Sequence, residues 1–169
     1  EVAEDMGFTV LHMYVDCLFV QQEGFHRPSD FTPLMNAIEE KTGIPIALEG
    51  VFKWVAFLAS KRDARVPVPN QYFGAFQDGT LKYRGIELRR RDTTLWIRKT
   101  QLKALEILAR ANTPHELANR VPDVMNLVEN AKHELRIGRV PLDQLIIHQR
   151  LSRSIEAYRT PSPAARAAR

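Results

Sequence analysis

Cysteine is nearly absent from this chain: Cys17 stands alone among 169 residues. A single thiol excludes an internal disulfide framework and a zinc site built on cysteines. Long apolar runs are missing as well. No stretch approaches the roughly 20 residues that a membrane-spanning helix needs, and nothing reads as a secretory leader. The expectation is a cytoplasmic protein with no membrane partner. The five histidines are scattered, with no pair at metal-ligand spacing. Ser60 has no base close to it in sequence, so nothing supports nucleophilic catalysis. Acidic side chains run short in one region: residues 61–103 hold four of them against eleven Lys and Arg.

Hydrophobic residues make up 44% of the chain and charged residues 26%, enough for one real core or two small lobes. The opening Glu1-Val2-Ala3 has no methionine and reads as the start of a piece of something longer. The net charge of +4 is spread unevenly: −6 over residues 1–60, +7 over 61–103 and +3 over 104–169. A basic middle points to a polyanion surface, and a solvated basic face accounts for the charge equally well.

Residues 8–20, FTVLHMYVDCLFV, are rich in β-branched and aromatic types. Thr9, Leu11, Met13, Val15, Cys17 and Phe19 alternate onto one side, the expected apolar face. His12, Tyr14, Asp16 and Leu18 fall on the other. A straight strand turns Asp16 away from the apolar side; a hairpin turning near Tyr14 and Val15 sets it beside the turn. Neither geometry buries the carboxylate, so its charge is retained.

Residues 29–43, SDFTPLMNAIEEKTG, predict a helix. Ser29 or Asp30 caps it, Pro33 fits its first turn, Gly43 ends it, and Phe31, Leu34, Met35 and Ile38 form its buried stripe. Residues 44–59 read as one or two strands interrupted at Glu49-Gly50. The VPVPN stretch at 66–70 marks an extended loop, and Asp78-Gly79 a hairpin turn between QYFGAF and LKYRGIEL. From Thr93 the period becomes helical, with Leu95, Leu102, Leu105 and Leu108 at helical spacings. Thr113-Pro114-His115-Glu116 is a capping box. The helix it opens uses Val121, Val124, Met125, Val128 and Leu135, with a break expected at Pro122 and a stop at Gly138. Residues 140–169 offer short helical pieces between prolines, the last an alanine-biased SPAARAAR. His12 reads as a satisfied strand residue, Glu39-Glu40 as a solvated helix face, and Trp54 and Trp96 as core or lobe-junction residues.

From Lys61 to Asp92 the chain resembles the palm-to-thumb junction of the family B DNA polymerases. That family carries a K-K-R-Y-x-G segment, a hairpin, K-G-x-E, and then Arg-Arg-Asp before the first thumb helix. This sequence has Ser60-Lys61-Arg62, Tyr72-Phe73-Gly74, Arg84-Gly85-Ile86-Glu87 and Arg90-Arg91-Asp92-Thr93 in the same order. An insertion, DARVPVP, separates Lys61-Arg62 from Tyr72. The tail GRVPLDQLIIHQRLSRSIEAYRTPSPAARAA is similar to the closing thumb segment, so the resemblance runs from about Met6 to the end.

The same resemblance places MYVDCLFV on the motif C hairpin, usually Tyr-Gly-Asp-Thr-Asp-Ser followed by an apolar strand. With Leu18-Phe19-Val20 on that strand, Asp16 meets the second aspartate, Tyr14 the first and Cys17 the serine. The resemblance implies that Asp16 is catalytic and one ligand of a magnesium pair, since two-metal catalysis needs carboxylates to hold both ions. The alternative is a remnant carboxylate on an exposed turn. Glu49 resembles a palm glutamate of the family, with capping of the strand junction as the structural alternative.

What the resemblance implies for the fold is an α+β chain. A small palm layer of antiparallel strands with a helix spans residues 1–60. A junction with a basic hairpin spans 61–92, and a mostly α-helical thumb spans 93–169. It also implies binding of double-stranded primer–template DNA through Lys61, Arg62, Tyr72, Lys82, Arg84, Arg89, Arg90 and Arg91. The remainder of the polymerase would lie in a longer chain or a separate subunit. A polymerase-derived DNA-binding module without nucleotidyl transfer is the competing expectation.

Overall fold

The computed structural model describes residues 1–147, 151, 153–157 and 163–167. The chain forms two compact units, residues 1–86 with 105–121 and residues 87–104 with 122–169. The architecture is α+β: two small antiparallel sheets and a set of helices.

The first unit opens with a helical turn, α1 (Val2–Asp5), and a hairpin of β1 (Thr9–Tyr14) and β2 (Cys17–Gln21). Tyr14 pairs with Cys17, so Val15 and Asp16 are the two turn residues. A positive φ at the first central position suits such turns, and Val15 adopts it at 54°. A β-branched side chain there is out of the ordinary.

The hairpin corrects the expected alternation. Leu11 is 50% and Met13 73% exposed, whereas Val10, His12 and Tyr14 turn inward. The inward side wins because it meets rings: His12 packs on Phe57 at 4.7 Å, and Phe19 packs on Phe57 and Tyr72 at 5.5 and 5.4 Å. Aromatic pairs of this kind bury more area than the aliphatic face could. His12 is also satisfied, with its Nε2 2.8 Å from Pro69 O.

Helix α2 (Thr32–Thr42) follows the predicted stripe, with Phe31 and Leu34 buried against Ala3 and Phe8. Gly43 ends it in the left-handed region, φ 70°. Asp30 acts at the other end, accepting the backbone N–H of His26 and Arg27 at 2.9 and 2.7 Å over a short 3₁₀ turn, Pro28–Phe31.

Residues 44–51 are not the expected strand. Ile44 is 63% exposed and no neighbouring strand pairs with the segment among the described residues. Pairing begins only at β3 (Phe52–Ala59), which joins β4 (Pro67–Phe76) and β5 (Leu81–Arg84) in an antiparallel meander.

VPVPN is likewise no loop, because β4 begins at Pro67. Both prolines lie before Tyr72, where β5 pairing starts, so the missing N–H groups face no partner strand on that side. The β3–β4 register shifts between Phe57 and Ala59, which takes up the extra residues. The Asp78-Gly79 turn forms as expected, with Thr80 N–H donating to Asp78 Oδ1 at 2.8 Å. Under the sheet, Trp54, Ala75 and Ala111 form a second buried cluster, and the Trp54 indole N–H donates to Ala111 O at 3.1 Å.

Helices α3 (Leu95–Ala109) and α4 (Pro114–Arg136) are each shared between the two units. Half of the capping box forms: Glu116 N–H donates to Thr113 Oγ1, whereas the Glu116 carboxylate accepts the N–H of Asn112, one residue before the cap. Pro122 does not break α4, although the boundary between units falls beside it. The expected stripe on α4 is only partly inward. Val121, Met125 and Leu135 are exposed, and within the second unit Leu127, Ala131 and Glu134 instead line a groove with Trp96, Thr100 and Lys103. The terminal helix appears as α5 (Pro163–Ala167); residues 148–150, 152, 158–162 and 168–169 of the closing segment lie outside the described residues.

Candidate nucleic-acid interface

Asp16 and the arginine run lie on two short turns, one in each unit, and the other candidate residues lie on the β3–β4–β5 sheet and its first connection. In the first unit the hairpin presents Asp16, which is exposed, as the sequence required. Cys17 Sγ lies 3.1 Å from Tyr14 O and closes the turn. The Tyr14 ring lies nearly parallel to that of His12, with centroids 6.4 Å apart, and the Arg84 guanidinium stands 5.8 Å from the Tyr14 centroid.

This donor set does not by itself fit the magnesium implied by the resemblance. Among the described residues no three His, Cys, Asp or Glu side chains gather as a metal cluster. One carboxylate cannot hold two divalent ions.

The basic residues differ in how free they are. Lys61 and Arg62 are exposed in the β3–β4 connection, where Ser60 Oγ accepts the Arg62 backbone N–H. Nearby, the Arg65 fork grips both oxygens of Asp63 and holds its carboxyl below the usual range. Lys82 is engaged, ion-paired with Glu49. Among the described residues Glu49 joins no acid cluster. Tyr72 departs from the expectation of a DNA-facing ring. It is 3% exposed and packs inside, because β4 turns it toward Phe19 and Phe57. Arg84 ends β5 opposite Tyr72 and is exposed.

In the second unit, Arg89, Arg90 and Arg91 follow one another around a 3₁₀ turn, Glu87–Arg89. Arg90 is spent internally. Its Nε and Nη2 donate to the two oxygens of Asp92 at 3.0 and 2.7 Å, and its Nη1 donates to Glu87 at 3.2 Å. The Arg90 hydrogen bond is the main cause that holds the Asp92 carboxyl below its ordinary range. Arg98 donates back to Arg90 O and fixes the turn to α3. Arg89 and Arg91 are exposed, and neither forms an ion pair among the described residues. The structure thus gathers Tyr14 with Arg84 in one place and the three arginines in another, in separate units.

Sequence reading missed the Tyr14–Arg84 contact and the Glu49–Lys82 pair. They join residues 70 and 33 apart, and only the packing of distant segments brings such partners together. No local signal announces either.

A family model described as DNA polymerase family B matches residues 28–168. The DNA polymerase of Archaeoglobus fulgidus is 27% identical over 158 residues, which cover 94% of this chain and 18% of that protein. DNA polymerase 1 of Saccharolobus solfataricus is 22% identical over 161 residues, covering 95% and 17%. Among solved structures, the family B DNA polymerase from the hyperthermophilic archaeon Pyrobaculum calidifontis is similar, with a TM-score of 0.57 and 25% identity. That match covers 98% of this chain and 19% of the other. The chain spans less than a fifth of the length of these relatives.

Proposed function

The chain belongs to DNA polymerase family B, and from that premise we propose that it is the palm-and-thumb portion of a polymerase and binds primer–template duplex. Residues 1–60 would form the end of the palm, 61–92 the junction and 93–169 the thumb. Binding would run through backbone phosphates, which position a duplex without reading its sequence. The observation that carries this reading is the arginine turn. Arg90 is bound to Asp92 and Glu87, which orders the backbone and leaves Arg89 and Arg91 exposed and without an ion pair among the described residues. Lys61, Arg62 and Arg84 supply further exposed charge.

Asp16 would supply one carboxylate to a magnesium site completed by residues outside these 169. The chain alone is expected not to extend a primer with magnesium present. A second reading, a DNA-binding module without nucleotidyl transfer, is favoured by Tyr14 at the place of the first acid. Asp16→Asn in the complete polymerase separates the two. Extension abolished with DNA affinity kept supports the catalytic reading, and extension at the wild-type rate leaves the binding module.

Duplex binding itself is tested by titrating labelled primer–template at several salt concentrations. Log affinity should fall by about 0.9 per neutralised phosphate for each unit of log salt. A flat response removes the proposal.

A further inference from the structure

The first acid of the motif is not merely lost at residue 14; another arrangement stands in its place. The Tyr14 ring is half-buried, backed by His12, whose own ring is locked between Phe57 and Pro69 O. Over the Tyr14 ring lies the Arg84 guanidinium, 5.8 Å from the centroid, within the range of a cation–π contact.

The Arg84 backbone is pinned independently. It pairs with Tyr72 at the end of β5, and the next residue, Gly85, has φ +66° and no room for a Cβ against Asn70 O. Only glycine suits both constraints. A long flexible side chain thus has a fixed base and a ring to lie on. A guanidinium attracts a phosphate, with which it forms charge-assisted hydrogen bonds.

We propose that Tyr14 is a positioning residue that holds Arg84 for a backbone phosphate of duplex DNA, so that the hairpin tip binds a polyanion at the place where the resemblance expects an acid. The inference rests on the duplex-binding reading. It adds a role for Tyr14 that neither charge nor motif assigns.

The test compares wild type with Arg84→Ala, Tyr14→Leu, Tyr14→Phe and the Tyr14→Leu/Arg84→Ala pair. Affinity for a labelled primer–template duplex is measured by fluorescence anisotropy across a salt series. Tyr14→Leu keeps the apolar bulk and removes the π-face, so the fold is preserved; thermal melts check this. Arg84→Ala should weaken binding and lower the salt slope by about 0.9, one phosphate contact. Tyr14→Leu should weaken binding about two- to fivefold, the value of an exposed cation–π contact. Tyr14→Phe should match wild type, and the pair should bind no more weakly than Arg84→Ala alone. Additive losses in the pair, wild-type binding by Tyr14→Leu, or a loss in Tyr14→Phe equal to that in Tyr14→Leu would each overturn the proposal. Failure of the duplex reading looks different: wild type itself would bind without salt dependence.

Discussion

The hairpin tip at 14–17 and the arginine turn at 87–93 are both short exposed turns bearing charge, yet they are held by opposite means. Rings fix the hairpin. Phe19 alone meets His12, Phe52, Phe57 and Tyr72 at centroid distances of 5.4 to 6.0 Å. Ion pairs fix the arginine turn, where Arg90 binds Asp92 and Glu87 with about half of its side chain in solvent. Apolar contacts are indifferent to pH and salt, whereas exposed ion pairs are screened and titrate. The ring that faces Arg84 is thus set by packing, whereas the backbone that carries Arg89 and Arg91 is set by ion pairs.

The largest test of that contrast is Phe19→Ala, which should lower stability by about 3 kcal/mol in urea melts. Arg90→Ala should barely move the same melt, because an exposed pair contributes little. Equal losses in the two variants would erase the distinction.

DNA binding sharpens it further. Arg89→Ala with Arg91→Ala should reduce the salt slope by about 1.8, two phosphate contacts. Arg90→Ala, whose cation is already paired, should reduce it by less than one such contact. A slope unchanged in the double variant would show that the turn does not touch the duplex.

The smallest effect is on acidification. Asp92 has its pKa depressed in the folded chain by the Arg90 hydrogen bond. Its contribution is therefore complete above the ordinary carboxylate range and is lost as pH falls through the lower folded value. Amide chemical shifts of residues 87–93 should move as pH falls below the ordinary carboxylate range, while the ring packing of the hairpin stays intact. Loosening of the hairpin along with the turn would contradict the ring-based account.

Local chemistry was the readable part of this chain. Helix α2, its stripe and its Gly43 cap, the Thr113 cap of α4 and the Asp78-Gly79 turn depend on neighbours a few residues apart, and all formed as expected. So did the exposure of Asp16, since two-residue turns lie at the surface. The α+β class and the family followed from the order of short motifs along the chain.

What the sequence by itself determined was therefore the elements, their caps, the uneven charge and the family. Tertiary structure decided which face of each element is inside. The hairpin half-buries Val10 and His12 and leaves Leu11 and Met13 exposed, because Phe57 and Tyr72 lie opposite His12 and Phe19. Residues 44–51 stay out of the sheet, with no strand pairing them among the described residues, while the prolines of VPVPN enter it before β5 pairing starts. The fold also sets what each cation meets: Lys82 goes to Glu49, Arg90 goes to Asp92, and Arg84, still exposed, lies over the ring of Tyr14. Periodicity fixes which residues share a face, but burial and pairing depend on what another part of the chain brings to that face, and that partner is absent from any local window.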